Sequence, residues 1–276
     1  MTASRTRVVM ITGCSSGIGQ ALAEAFLEVG HRVVATARRP ESITDLEGER
    51  GLILPLDVTD GESIESAAGE AVRWAGRIDI LVNNAGYALV GPVSELDLDD
   101  LRRQLETNVV GVVAVMRAVV PQMAAQGGGC IVNIGSVSSL LATPFGGAYS
   151  ASKAALHLLS DALRPEVRPF GINVVVVRAG AVATEFPIAA ARGLDRYRDP
   201  SSLYRDHVDA MEERAAMSKN LAMSPDGLAR MVVRKVTREK PPAVIKLGGG
   251  ARLVPAVALL PKRALAWMLG RKFGLR

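Results

Sequence analysis

"VVMITGCSSGIGQALAEAF", residues 8–26, joins a short apolar β-rich run, a glycine-rich turn and a stretch with helical spacing. Strand, tight turn and helix in that order begin a βαβ unit. Gly13, Gly17 and Gly19 let backbone amides come close to a ligand, and the following helix adds positive potential at its amino end. That suits a pyrophosphate, but such a turn alone is weak evidence. The same residues match G-x-S-x-G, the sharp turn that presents a nucleophilic serine, with Ser15 in the reactive place. Context rejects this: the elbow needs most of a sheet before it, and here one strand precedes. It also needs an acid and a histidine later, and nothing marks His157 or His207 for that part. Ser150-Ala-Ser-Lys153 likewise fits S-x-x-K of penicillin-binding enzymes, yet no K-T-G follows.

Working outward, β-rich runs alternate with helix-period stretches along all 276 residues. The pattern predicts strands at Val8–Thr12, Arg32–Thr36, Leu52–Leu56, Ile78–Val82, Cys130–Ile134, Ile172–Val177 and Ala243–Leu247. Helices are predicted near Ile18–Val29, Ser63–Ala75, Leu98–Ala124, Ser150–Val167 and Asp226–Arg238. This implies an α/β fold, a Rossmann-type doubly wound parallel sheet of about seven strands. Pro55 in the third strand belongs at a sheet edge, where the order 3-2-1-4-5-6 puts that strand. No linker or repeat divides the chain, so one domain is expected. About forty residues, 185–225, are inserted before the sixth helix, and insertions of that length are commonly lids.

Composition narrows the function classes. Hydrophobic residues are 49% of the chain, which supports a large core. Two cysteines, Cys14 and Cys130, supply neither a disulfide framework nor metal-ligand spacing, and a reducing, cytoplasmic setting is expected. The amino-terminal apolar run is too short for a signal peptide and reads as a strand. Of 33 Lys/Arg and 28 Asp/Glu, 12 and 2 lie beyond residue 225, so the carboxyl-terminal fifth is strongly basic. Poor aromatic interleaving argues against nucleic acid. The extension at 251–276 mixes apolar and basic residues, and weak contact with an anionic membrane surface is one expectation for it, plain packing the other.

Four further landmarks sit where this fold places chemistry: Leu56-Asp57-Val58 after the third strand, Asn83-Asn84-Ala85-Gly86 after the fourth, Ser136 after the fifth, and Tyr149-x-x-x-Lys153 opening the fifth helix. With Thr12-Gly-x-x-x-Gly-x-Gly19 they make residues 7 to about 184 resemble the short-chain dehydrogenase/reductase family. The motifs are jointly specific, and the wider pattern is similar to members acting on bulky apolar or acyl-carrying ketones. The resemblance implies an NADP(H)-dependent oxidoreductase, with Asn108, Ser136, Tyr149 and Lys153 as catalytic residues. It implies cofactor contacts from Gly13, Ser15, Ser16, Gly17, Ile18, Gly19, Arg38, Asp57, Val58, Asn84, Ala85, Gly86, Tyr149, Lys153, Val182 and Thr184, and a homodimer or homotetramer. The alternative is a non-redox enzyme of the same fold, an isomerase, cyclase or dehydratase using Tyr149 as acid/base.

Physical chemistry supports several of these roles. A free phenol, with pKa about 10, is a poor proton partner near neutrality. A cation about 4.5 Å away, at an effective dielectric of about 20, stabilises phenolate by roughly 3.7 kcal/mol and brings that value near 7. Lys153, one helical turn from Tyr149, is the expected cation. Thr36-Ala-Arg38-Arg39 places two guanidiniums and no carboxylate where a carboxylate would hold a ribose 2′-hydroxyl, which favours the 2′-phosphate of NADP. Arg178-Ala179-Gly180 stands where the family usually has Pro-Gly, and a less constrained nicotinamide ledge is expected there. Arg192, Arg196, Arg198 and Arg205 lie in the inserted segment with Tyr197 and Tyr204, as a clamp for an anion or as solvated charge. On the fifth helix Ala151, Ala155, Leu158 and Ala162 form an apolar stripe beside a second one, Leu156, Leu159 and Leu163. A helix apolar on two faces is expected to be covered twice, by the sheet and by a second subunit.

Overall fold

The structure is a computed structural model and describes residues 6–186, 190–191, 193–217 and 222–275. Its strands are β1 (Val8–Ile11), β2 (Arg32–Ala37), β3 (Gly51–Pro55), β4 (Ile80–Asn83), β5 (Gly129–Ser136), β6 (Ile172–Ala179) and β7 (Val244–Leu247). They form one parallel sheet in the order β3-β2-β1-β4-β5-β6-β7. Pro55 ends the edge strand, as its missing N–H requires. Strand alternation then divides the core. Val9 and Ile11 face one side, with Leu22 and Phe26 of α1 (Gly17–Glu28); Met10 faces the other, with Ile64 and Ala71 of α2 (Gly61–Ala75).

The helix predicted as a single piece at Leu98–Ala124 is α3 (Leu98–Leu105), a π-helical turn at Glu106–Val110 and α4 (Gly111–Ala125). The Gly111 N–H reaches back to the Glu106 carbonyl, the wide spacing of a π-bulge. By length and composition this 28-residue stretch is apolar enough to cross a membrane, but Val112, Val115, Val119 and Met123 are buried against the sheet. Next comes α5 (Gly147–Val167), which lies on the same face. Two more helices, α6 (Val208–Ala216) and α7 (Pro225–Val236), follow β6; α7 packs beside α1, with Ser224 capping it through the Gly227 N–H at 3.1 Å. A short turn at Val254–Val257 and α8 (Lys262–Lys272) end the chain.

A third, smaller apolar cluster lies outside the two sheet faces. It joins Ala88, Val90 and Phe145 to Leu194, Tyr197, Val208 and Met211 of the inserted segment and to Phe273 of the extension. The insert and the carboxyl-terminal end therefore share a core of their own, beside the carboxyl ends of the strands.

Candidate active site

The chain leaves β1 and β4 in opposite directions across the sheet, and a ligand crevice forms at such a reversal. Thr12 fixes its floor: its Oγ1 accepts the N–H groups of Asn84 and Ala85 at 3.0 and 3.1 Å. Asn84 Nδ2 in turn donates to the Thr12 and Gly13 carbonyls at 3.0 and 2.8 Å, leaving its own carbonyl oxygen for a ligand. Cys14 does not face the crevice. Its N–H bonds the Thr36 carbonyl at 2.8 Å, its thiol is buried, and burial pushes the thiol up to about 12.

Two glycines here have reasons the geometry supplies. Gly13 has φ 73°, and a Cβ there would lie 2.9 Å from the Ala85 Cα. At Gly19 a Cβ would lie 2.2 Å from the Gly13 carbonyl oxygen, so helix and turn close only on hydrogen. A cavity of about 650 Å³ opens above this turn, lined by Ser15, Ser16, Gly17, Ala183, Thr184 and Asp226 among others. Ser16 precedes α1 without a side-chain capping bond, so the first N–H groups of the helix remain available to an anion. These features fit a dinucleotide pyrophosphate.

The remaining cofactor candidates flank that cavity. Arg38 and Arg39 are exposed immediately after β2. Asp57 accepts the Thr59 N–H at 2.9 Å and its hydroxyl at 2.7 Å, which together with nearby Arg38 hold its carboxyl below the usual range. Val58 and Val182 bury their side chains and offer only backbone. Ile18 packs on the α1 core, and Thr184 faces Gly17 across the groove. The ledge after β6 departs from expectation. Ala179 is paired with Ser136 on one side and Leu247 on the other, and Ala181 exchanges bonds with Gly249 at 2.9 and 3.1 Å. An N–H in place of proline lets the sheet continue, so hydrogen bonds supply the constraint a ring would have given.

Ser136 ends β5, and Tyr149 and Lys153 lie in the first turns of α5. Lys153 is buried; its Nζ donates to the Ile134 carbonyl at 2.8 Å and lies 5.9 Å from the Tyr149 ring centroid. Burial brings this amine down to about 8. Asn108 sits in the π-turn with no exposed surface; its Oδ1 accepts the Tyr87 N–H at 3.1 Å, and Nδ2 donates to the Tyr87 carbonyl and the Ser152 hydroxyl. Gly86 separates it from Lys153: a Cβ there would be 2.9 Å from Asn108 Oδ1 and 3.8 Å from Lys153 Nζ.

One electrostatic expectation is overturned. Lys153 was to bring the phenol of Tyr149 down, but that phenol stands above its ordinary value. Desolvation is the dominant cause; the Ser136 hydroxyl and the guanidinium of Arg214 oppose it without prevailing. Lys153 donates to the Ile134 carbonyl at 2.8 Å.

Two residues that sequence reasoning left aside pack against the candidate residues. His157, dismissed with the hydrolase reading, lies behind Ser136. Its Nε2 accepts the Ser136 N–H at 3.3 Å, and its Nδ1 meets the Ser139 hydroxyl at 2.8 Å, which donates to the Ser136 carbonyl at 2.7 Å. Both backbone groups of the serine are thereby clamped. Arg214, not among the arginines singled out, is the one that reaches the catalytic end: it bonds Thr143 Oγ1 and lies on Gly146, the residue before α5. The arginines singled out in the insert are surface charges. Arg196 pairs with Asp100 at 2.7 Å, Arg198 with Glu212 at 2.7 Å and Arg205 with Asp206 at 3.7 Å; Arg192 lies outside the described residues. The signal for Arg214 was spacing, three residues after buried Met211 on the inward face of α6. Phe186 covers the other side of Tyr149, its ring 5.5 Å away. Phe145, four residues before Tyr149, is the only described non-glycine residue with positive φ, at 62°, a strained backbone held by its buried ring.

Comparison with known proteins agrees with this geometry. The family model described as short chain dehydrogenase matches residues 7–193. A 3-ketodihydrosphingosine reductase from Bacteroides thetaiotaomicron is 32% identical, covering 95% of this chain and 93% of its own. A short-chain dehydrogenase from Streptomyces avermitilis superposes with a TM-score of 0.81 at 34% identity over 97% of each chain. One from Burkholderia cenocepacia, solved in complex with NADP, gives 0.71 at 28% identity over 98% of this chain and 99% of that one. The chain is an oxidoreductase of the short-chain dehydrogenase family.

Proposed function

We propose that the protein is an NADPH-dependent reductase of ketones on bulky apolar or acyl-carrying substrates. The observation that carries the reading is the convergence of Ser136, Tyr149 and Lys153 beside the crevice, with Arg38 and no carboxylate at the end of β2. The Ser136 hydroxyl and the Tyr149 phenol hold the carbonyl oxygen, and Tyr149 delivers the proton as charge develops there. NADPH supplies the hydride. Lys153 and the carbonyl oxygen of Asn84 hold its ribose groups, and Arg38 takes the 2′-phosphate. The similarity to a 3-ketodihydrosphingosine reductase supports an acyl-carrying substrate. NADPH and NADH consumption across a panel of long-chain and cyclic ketones tests the reading. NADPH oxidation dependent on ketone supports it; turnover of a substrate without any change in nicotinamide overturns it in favour of isomerisation, cyclisation or dehydration.

We further place the protein in the cytoplasm as a homodimer or homotetramer. The Ala151, Leu158 and Ala162 stripe of α5 supports the assembly, being exposed in the single chain. The extension is proposed to touch anionic membranes weakly. Leu259 and Trp267, 86% and 68% exposed, sit among Lys262, Arg263, Arg271 and Lys272, while Phe273 stays buried against Phe145. Attraction of about 1 kcal/mol per basic residue is salt-sensitive. Co-sedimentation with phosphatidylserine vesicles is therefore expected at low salt and lost at high salt; absence of binding at low salt removes the idea.

A further inference from the structure

Arg214 is charged, half-buried, and supplied with little to balance it. Its guanidinium is pressed onto Gly146, where a Cβ would lie 2.6 Å from Nη2 and 2.8 Å from Nε. Of its five N–H donors, one has a partner among the described residues, the Thr143 hydroxyl. No described carboxylate comes within 4.0 Å of it, in contrast to Arg196 and Arg198 on the outer surface of the same insert. The acidic residues of its own helix are turned outward: Glu212 bonds Arg198, and Asp209 and Glu213 are exposed.

The surroundings add to the imbalance. Gly146 is the residue from which α5 starts, and a helix of 21 residues carries positive potential at that end. The guanidinium adds its own positive charge to that end. The apolar cluster that α6 joins, with Phe145 and Phe273 buried and Phe186 and Tyr204 half-buried, supplies no negative charge. Tyr149 lies one helical turn beyond Gly146, close enough for the guanidinium to favour its ionised form.

We propose that Arg214 is the substrate-recognition residue for an anionic group, a carboxylate or a phosphate, carried by the ketone on the insert side of Tyr149. The proposal deepens the reductase reading and rests on it for the position of the ketone. An arginine fork binds either anion through paired N–H donors. Phe186, half-buried beside Tyr149, takes the apolar body of the same molecule. The substrate class is then an amphipathic ketone with one acidic group within a few bonds of the carbonyl.

The test uses the full chain and three matched ketones: one with a terminal carboxylate, its methyl ester, and the corresponding phosphate monoester. In the wild type, kcat/KM with NADPH is expected to favour at least one anion over the ester by about tenfold to a hundredfold. Arg214→Met should bring that ratio near one. The ratio is the readout, since removing the guanidinium also acts on Tyr149. Which anion wins distinguishes carboxylate from phosphate. A wild type without anion preference, or a preference that survives Arg214→Met, overturns the proposal. A second measurement is independent of turnover: the rise in Tm of the cofactor-loaded protein on adding the anionic ketones, at constant ionic strength. The rise should occur in the wild type and vanish in Arg214→Gln, which can still hydrogen-bond Thr143 if the methionine variant does not fold. Should no ketone be reduced while the Arg214-dependent rise persists, the reductase reading fails and the anion site stands. Equal rises for anion and ester in the wild type overturn the anion site and leave the reductase reading intact.

Discussion

The two halves of the crevice are built from different materials. On the cofactor side the walls are mostly main chain: glycines at 13 and 19 that admit no Cβ, strand ends in register, and Thr12 and Asn84 holding loop to loop. On the side of Tyr149 that faces the insert they are side chains, Phe186 and Arg214, set on a small buried cluster that includes Phe145, Tyr197 and Phe273. A main-chain wall tolerates little change, because any added atom meets a backbone atom. A side-chain wall changes its chemistry with a single substitution and leaves the frame standing. Such a division lets one fold keep its cofactor while its substrates vary.

Tyr149 stands on the seam, and its removal gives the largest expected effect. Tyr149→Phe deletes the proton donor and keeps the ring that packs on Phe186. Turnover should fall by about 10²–10⁴-fold, the usual worth of a positioned acid. The Kd for NADPH, measured by fluorescence titration, should change little, because Lys153, Arg38 and the glycine turn remain. A large loss of cofactor affinity would show that the two halves are not separable at this residue.

Arg38→Asp asks whether the cofactor side has one exchangeable choice within its rigid frame. Arg38 is exposed at the end of β2. A carboxylate there repels a 2′-phosphate and is placed to accept a ribose hydroxyl. NADPH affinity should drop about tenfold to over a hundredfold, from the loss of a charge-assisted contact, while NADH binding holds or improves. Unchanged NADPH affinity would remove Arg38 from the site.

How much of this was legible in the sequence follows the same division. The frame was legible because strand ends and glycine turns leave short motifs: β-rich runs, Pro55 at the edge, Asn83 to Gly86, and Tyr149 one turn from Lys153. Boundaries moved by one to three residues, and the π-turn at Glu106–Val110 was invisible, since one extra residue in a helical turn leaves no periodic trace. The direction of the Tyr149 shift was missed because helical spacing gives proximity, whereas burial is a tertiary fact. His157 and Arg214 were missed for a related reason. Each acts through partners distant in the chain, Ser136 and Ser139 for one, Thr143 and Gly146 for the other.

The smallest expected effect on turnover comes from His157, which ties the substrate-side serine to the sheet behind it. Because Ser139 donates to the Ser136 carbonyl, its oxygen accepts from His157 Nδ1–H, and Nε2 is left to accept the Ser136 N–H. That arrangement requires a neutral imidazole. Burial, with Arg178 and Lys153 nearby, brings the ring down to about 4. His157→Phe should lower kcat about tenfold through misplacement of the Ser136 hydroxyl, with KM for NADPH little changed. His157→Gln, whose amide can both accept and donate, should recover most of it; equal losses in the two variants would mean that only volume matters. The linkage gives a second readout. The folded-state value lies below the ordinary 6.5 of histidine, so between those limits the unfolded chain binds more protons. This contribution to stability is present at pH 7 and is lost as pH falls from about 6.5 through about 4. The acid-side decline of Tm between pH 7.5 and 4.5, chosen on the order of that window, should be shallower in His157→Gln than in the wild type. Parallel curves would show that the ring is not held neutral by the serine clamp.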